Sequence, residues 1–257
     1  MRYLILSDLH SNLEALQAVL AATEGAYDQV VCCGDLVGYG PDPDPVVNWV
    51  RENVKEVVRG NHDKACSGIT DAEDFSDLAR IAAYWTRQHL NEENIQYLSS
   101  LPPGPLSIAD SFAILHGSPR DEDEYLPTHW DASESFDLLT HSVSFFGHTH
   151  IQGGFVKSED LLAARTVEVE LPGLFMKAAV SGRDHAKLTV QEHKIYLLNP
   201  GSVGQPRDRD HRAAFAIFDT DGFVEYGRVP YDIEATMKKI LDSGLPEFLA
   251  YRLSMGR

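Results

Sequence analysis

The hydrophobic pattern opens on a short, almost unbroken apolar run, Tyr3 to Leu6, which predicts a strand covered on both faces. Apolar residues then recur at helical spacing through Leu13, Leu16, Val19 and Leu20, with Asn12 placed to cap that helix. Gln29 to Cys33 repeats the strand signal, and Asp44-Pro45 supplies a capping acid and a first-turn proline for a second helix. Lys55 to Arg59 reads as a third strand, completing a βαβαβ succession whose functional groups should gather at the carboxyl ends of parallel strands.

From about Ala72 to Leu101 the period is helical, with Leu78, Ile81, Ala82, Trp85 and Leu90 on one face and Leu101-Pro102-Pro103 as the stop. That stretch is expected to be a cap beside the sheet. Beyond it strands are predicted at Phe112–Leu115, Val143–Phe146, Thr166–Leu171, Phe175–Val180, Lys194–Leu198, Ala213–Phe218 and Phe223–Arg228. Helices near Ile233–Leu241 and Pro246–Leu253 follow. The pattern holds no solenoid-length repeat, low-complexity tract or linker, so residues 1–257 are expected to form one domain.

Composition adds bounds. With 43% hydrophobic and 24% charged residues the chain has the means for a sizeable core. No apolar run approaches the roughly 18 residues of a spanning helix, and the expectation is a soluble cytoplasmic protein with no membrane partner. The net charge of -17, from 39 acidic against 22 basic residues, repels long nucleic acids and anionic membranes. It does not forbid a small phosphate, because bound divalent cations would reverse the local sign. Cys32, Cys33 and Cys66 make neither a disulfide framework nor a zinc knuckle, and adjacent Cys32 and Cys33 should face opposite sides of a strand. The sequence leaves the oligomeric state open.

Five segments hold metal-ligating side chains beside glycine or at strand ends. They are Ser7-Asp8-Leu9-His10, Gly34-Asp35, Gly60-Asn61-His62-Asp63, His116-Gly117 and Gly147-His148-Thr149-His150. Asp8 and His10, like His148 and His150, lie two apart and share a face only while the chain is extended; a bend would splay each pair. Seven donors exceed what one borderline ion takes, whereas two ions bridged by a carboxylate would use them all. Any one motif alone is an ordinary turn or a chance histidine pair, and the acidic run Asp121 to Glu124 reads as a solvated loop. Five in order at strand ends are another matter, since burying them without metal would cost several kcal/mol per unpaired charge.

The ordered set SDLH, GD, GNHD, HG and GHTH resembles the signature of the calcineurin-like metallophosphoesterases. Asn199-Pro200-Gly201-Ser202-Val203 with Pro206-Arg207 extends the likeness to the compact prokaryotic branch of that superfamily. The resemblance implies a four-layer α/β/β/α sandwich of two mixed sheets. It implies that Asp8, His10 and His150 hold one ion, that Asn61, His116 and His148 hold the other, and that Asp35 bridges them. The cofactors would be two divalent ions from among manganese, iron, zinc, nickel and cobalt, manganese favoured. The reaction would be hydrolysis of a phosphomonoester or phosphodiester by a hydroxide bridging the metals.

His62 is then the candidate for steadying the phosphoryl group or protonating the leaving oxygen, with Asn12, Asn61 and Arg207 as further phosphate contacts. Protein serine/threonine phosphatases follow Gly-Asp with a second aspartate that orients this histidine. Here the chain reads Gly34-Asp35-Leu36-Val37-Gly38-Tyr39-Gly40, which speaks against that activity. Rival readings are a dinucleoside polyphosphate hydrolase and a catalytically retired metal-binding scaffold.

Overall fold

A computed structural model describes residues 1–158, 165–167 and 184–257. Among these, the first unit is β1 (Arg2–Leu6), α1 (Leu13–Thr23), β2 (Gln29–Cys32), α2 (Pro43–Asn53) and β3 (Glu56–Val57). Helices α3 (Asn61–Ser67), α4 (Asp77–His89) and α5 (Glu92–Ser100) follow. Next come β4 (Leu106–Ile108), β5 (Phe112–Ile114), α6 (His129–Ser133), a 3-10 turn over Ser135–Leu138 and β6 (Val143–Phe145). The remainder is β7 (Gly153–Ser158), β8 (Arg165–Val167), β9 (Asp184–Thr189), β10 (Lys194–Asn199), β11 (Ala213–Asp219), β12 (Phe223–Val229), α7 (Ile233–Asp242) and α8 (Glu247–Met255).

The strands form two six-stranded mixed sheets, ordered β3-β2-β1-β11-β12-β9 and β4-β5-β6-β10-β7-β8. In the first, β1, β2 and β3 run parallel, as the βαβαβ pattern requires, and β11 joins β1 antiparallel with Leu4 opposite Ile217. Side-chain alternation sorts the core. Tyr3, Ile5, Val31 and Cys33 point between the sheets to meet Phe112, Ile114, Phe145 and Leu198. Leu4, Leu6, Val30 and Cys32 point outward under α1 and α2. Cys32 and Cys33 thus lie on opposite faces, and all three cysteines are buried free thiols. On the far side of the second sheet Phe146, Phe155 and Leu197 pack on Ala132 and Phe136. The layers are α/β/β/α. No helix of the described residues is long and apolar enough to cross a membrane.

Several expectations shift. The second helix begins at Pro43 after Asp42, two residues before the expected Asp44-Pro45. The Asp44 carboxylate is engaged elsewhere, accepting from the Asn91 N–H at 3.1 Å and Asn94 Nδ2 at 2.7 Å and so tying α2 to α5. The third strand keeps only Glu56 and Val57, because the Arg59 N–H turns away to the Pro102 carbonyl at 2.8 Å. Residues 72–101 hold two helices instead of one continuous stretch, since the Asn91 side chain accepts from the Asn94 N–H and starts a new helix. Ile81, expected to pack, is exposed, and Ala79, Ala82 and Ala83 make the buried face of α4. Strands β4, β7 and β9 are not among the predicted ones: β4 is only three residues long, β7 opens on Gly153-Gly154, and β9 carries the polar sequence DHAKLT at a sheet edge. The predicted strand Phe175–Val180, and the part of Thr166–Leu171 beyond Val167, lie outside the described residues.

Candidate metal centre

The five motifs follow β1, β2, β3, β5 and β6, whose carboxyl ends meet at one edge of the sandwich. Side-chain donor atoms of Asp8, His10, Asp35 and His150 lie within 4.8 Å of one another, and those of Asp35, His116 and His148 do likewise. Asp35 belongs to both groups. Asn61 stands beside the second, its Oδ1 3.4 Å from His116 Nε2. All seven expected ligands are therefore brought together, as is His62, whose backbone N–H donates to Asp35 Oδ1 at 2.9 Å.

The bend resolves the two-apart pairs differently. Asp8 and His10 converge on one group, whereas His148 and His150 are splayed, one to each. Asp8, His10, Asp35, His148 and His150 all adopt left-handed backbone, with φ of 52°, 45°, 53°, 66° and 59°. For residues with a Cβ such geometry costs roughly 1–3 kcal/mol each and persists only where surroundings enforce it. The strap Asn199 to Gln205 braces the Asp8 and His148–His150 turns. Asn199 Nδ2 donates to the Gly147 carbonyl at 2.8 Å, Ser202 Oγ to the Asp8 carbonyl at 2.8 Å, and the Val203 N–H to the Ser7 carbonyl at 3.0 Å. Gly60 lies so close to Asp35 Oδ1 that no side chain would fit there.

Each histidine is held by a carbonyl, which can only accept. Nδ1 of His10 donates to Val37 at 2.9 Å, that of His116 to Cys33 at 2.8 Å and that of His150 to Gln205 at 2.6 Å. Their Nε2 lone pairs are left to face the cluster. His148 is reversed, donating Nε2 to the Asp123 carbonyl at 3.1 Å and keeping Nδ1. His10 Nε2 and His150 Nε2 consequently oppose lone pairs at 3.1 Å, and Asp8 Oδ2 and Asp35 Oδ2 are buried without a hydrogen-bond partner. A cation held among Asp8, His10, Asp35 and His150 would relieve the opposed lone pairs and neutralise the carboxylates. Burial opposes a proton on His116, but the Asp35 carboxylate outweighs it and pushes the ring up to about 10, so that with no cation bound Nε2 holds a proton toward Asp35, and a bound cation would take that proton's place. Burial lifts Asp8 to about 6. The donor set fits metal, and carboxylate with imidazole fits borderline divalent ions.

The sequence model of the calcineurin-like phosphoesterase superfamily domain matches residues 1–173. The chain belongs to that superfamily. It is 37% identical to Uncharacterized protein MJ0912 of Methanocaldococcus jannaschii, over 98% of this chain and 97% of the relative. The crystal structure of a metallophosphoesterase from Sphaerobacter thermophilus is similar at 38% identity and TM-score 0.82, covering 100% of this chain and 99% of that one. Hypothetical protein PH1004 from Pyrococcus horikoshii OT3, at 19% identity and TM-score 0.76 over 100% and 98%, shares the fold.

Around this calcineurin-like centre the remaining expectations sort themselves. His62 lines the cleft beside Tyr39 and Phe75, ring centroids 4.4 and 4.8 Å away. Its Nδ1 is buried without a partner, and no second aspartate follows Asp35 to orient the ring. Burial pulls its pKa down to about 4, against the attraction of Asp35, so the ring is neutral at pH 7. Arg207 reaches the cleft wall. Asn12 does not: its Oδ1 accepts from the Ala15 N–H at 3.1 Å and its Nδ2 donates to the Gly204 carbonyl at 2.9 Å. Buried and committed in both directions, its amide caps α1 and is not placed to contact phosphate.

Other residues escaped the sequence reading. The Asp63 carboxylate accepts the N–H groups of Asp35, Leu36 and Gly60, each at 2.9 Å, and joins two ligand-bearing turns. Its place three residues after Gly60, the capping-box position, was the available signal. Nothing in the sequence marked the acidic loop, read as solvated. Glu122 pairs with Arg59 and Lys64 at 3.0 Å, Asp123 with Lys64 at 2.5 Å, and Tyr125 stacks on His148 at 3.7 Å.

Proposed function

We propose that the protein is a metal-dependent phosphoesterase, one domain over residues 1–257, that hydrolyses the phosphomonoester or phosphodiester bond of a small substrate. Asp8, His10 and His150 would hold one divalent ion, and Asn61, His116 and His148 the other, with Asp35 common to both. Such ions, manganese first among the candidates, would supply Lewis acidity toward phosphoryl oxygen and water made acidic enough to attack near neutral pH. The observation that carries the reading is the sharing of buried Asp35 between two donor groups whose lone pairs all converge.

The chain's own residues do the rest. Carbonyls of Val37, Cys33, Gln205 and Asp123 lock the four ring orientations, so the donors need no rearrangement when substrate arrives. Arg207 carries a fixed positive charge to the cleft, suited to nonbridging phosphoryl oxygens. Burial disfavours a charge on His62, which suits it to steady the phosphoryl group as a neutral N–H donor. A cleft of about 500 Å³ suits a small ester, and the net charge of -17 disfavours a long nucleic acid. The intact donor set favours a working enzyme over a scaffold.

The test pairs Asp35→Asn with His116→Ala. Each is expected to lower manganese-dependent hydrolysis of p-nitrophenyl phosphate or bis-p-nitrophenyl phosphate by more than about 10²-fold, beyond the loss of an outer-sphere partner. Circular dichroism should show a folded protein. Full activity in both variants would sink the proposal; diadenosine tetraphosphate in the same panel reports any preference for an anhydride.

A further inference from the structure

The cleft over the metal centre is lined by both signs of charge. Asp71, Asp74 and Asp123 line it, as do Arg207 and Arg252, whose guanidiniums both lie near the Tyr39 ring. Each guanidinium carbon is 5.7 Å from the Tyr39 ring centroid. Arg207 lies next to the first donor group, its backbone N–H donating to the His150 carbonyl at 3.3 Å. Its Nη2 donates to Gln205 Oε1 at 3.0 Å and to the Tyr39 hydroxyl at 3.4 Å, and its Nε is buried with no acceptor. Arg252, in the last turn of α8, donates Nε to the Arg257 carbonyl at 2.6 Å.

Among the described residues neither arginine is ion-paired with an aspartate or glutamate; Arg252 meets a main-chain oxygen of Arg257 through Nε alone, and Arg207 Nε meets no acceptor. In this chain with 39 acidic and 22 basic residues Arg51, Arg59, Arg80, Arg120 and Arg228 are ion-paired, whereas the two arginines that line the cleft are not. Two partly buried like charges repel, and burial together with Arg207 makes Arg252 less basic than an ordinary arginine. Holding both in one cleft is unfavourable unless an anion offsets them. The transferred phosphoryl group, already facing the metal donors, has a use for Arg207. Arg252, which has no bond to a residue of either donor group, is surplus to it.

Resting on the phosphoesterase reading for where the first phosphate sits, we propose that Arg252, together with Arg207, binds a second anionic group of the substrate. The preferred ester is then an organic phosphate that carries a further carboxylate or phosphate. A guanidinium fork matches either oxyanion with paired hydrogen bonds.

The experiment measures binding of non-hydrolysable phosphonates to the manganese-loaded protein by calorimetry. Propylphosphonate carries one anion; 3-phosphonopropionate adds a carboxylate and propane-1,3-bisphosphonate a second phosphonate. One or both dianions should bind about tenfold tighter or more, the gain of one charge-assisted contact, and their order says which anion the subsite takes. Arg252→Gln should bring the ratio close to one, and Arg252→Lys should leave it between, since the charge remains without the fork. Equal affinities in the native protein, or a preference that survives Arg252→Gln, would overturn the proposal. If no ester is hydrolysed and propylphosphonate does not bind, it is the phosphoesterase reading that fails. The subsite is still decided by whether Arg252→Gln weakens the bisphosphonate.

Discussion

The two donor groups share Asp35 and differ in what holds the rest. Asp8, His10 and His150 are wholly buried; the Val37 and Gln205 carbonyls fix the two rings, and the Val203 N–H and the buried Ser202 hydroxyl fix the Asp8 turn. In the second group Asn61 is half-exposed at the start of α3, and His148 leans on the carbonyl of Asp123. That loop is kept in place by side chains, through the pairs of Glu122 and Asp123 with Arg59 and Lys64. One half of the centre is therefore set within the sandwich; in the other, His116 is held by the Cys33 carbonyl, and His148 depends on ion pairs at the cleft. Main-chain support resists single substitutions, whereas side-chain support is open to tuning.

The most damaging way to break the comparison is at a point that serves both groups. Asp63 accepts three N–H groups at 2.9 Å and a fourth, from Val37, at 3.3 Å, all buried. Asp63→Ala leaves those donors without partners, at a cost of about 3 kcal/mol or more. Urea unfolding should show that loss, and both ions should bind more weakly in calorimetric titration. If only one site weakens, the turns are not coupled as the hydrogen bonds indicate.

A milder change should separate the groups. Lys64 is almost fully buried between Glu122 and Asp123, and Lys64→Met removes the charge that draws the loop under His148. The expected result is about a tenfold weaker second ion, in the range for loss of an outer partner, with the first ion unaffected. Two binding steps in the titration would move apart. Equal weakening of both would mean the two halves share their support.

The difference between the halves also marks what the sequence could disclose. Strand positions were legible because apolar runs such as Tyr3–Leu6 and Phe112–Leu115 have no other use, and the ligands follow each run directly. The sharing out of His148 and His150 was not, since it depends on left-handed turns at two non-glycine residues that no propensity predicts. Asp121 to Glu124 looks like any solvated acidic run until Arg59 and Lys64, about sixty positions earlier in the chain, meet it. Arg252 likewise reaches the cleft only because α8 packs against α7 and Tyr39. Periodicity reports local burial; it carries no information on which distant side chains converge.

The smallest effect concerns the backbone-held half. Asn12 carries the spacing of a ligand, two residues after His10, yet its Oδ1 accepts from the Ala15 N–H and from the Thr236 hydroxyl at 3.2 Å, behind the cluster. Asn12→Ala removes a helix cap and the bond to Gly204, which costs about 1–2 kcal/mol. KM and kcat for p-nitrophenyl phosphate should stay within about twofold, because the Asp8 turn is still held by Ser202 and Val203. Arg207→Ala in the same assay should raise KM. The contrast separates a residue that supports the first turn from one that faces the substrate. A rise in KM for Asn12→Ala comparable to that for Arg207→Ala would mean that the α1 cap, and not the strap alone, sets the position of Asp8 and His10.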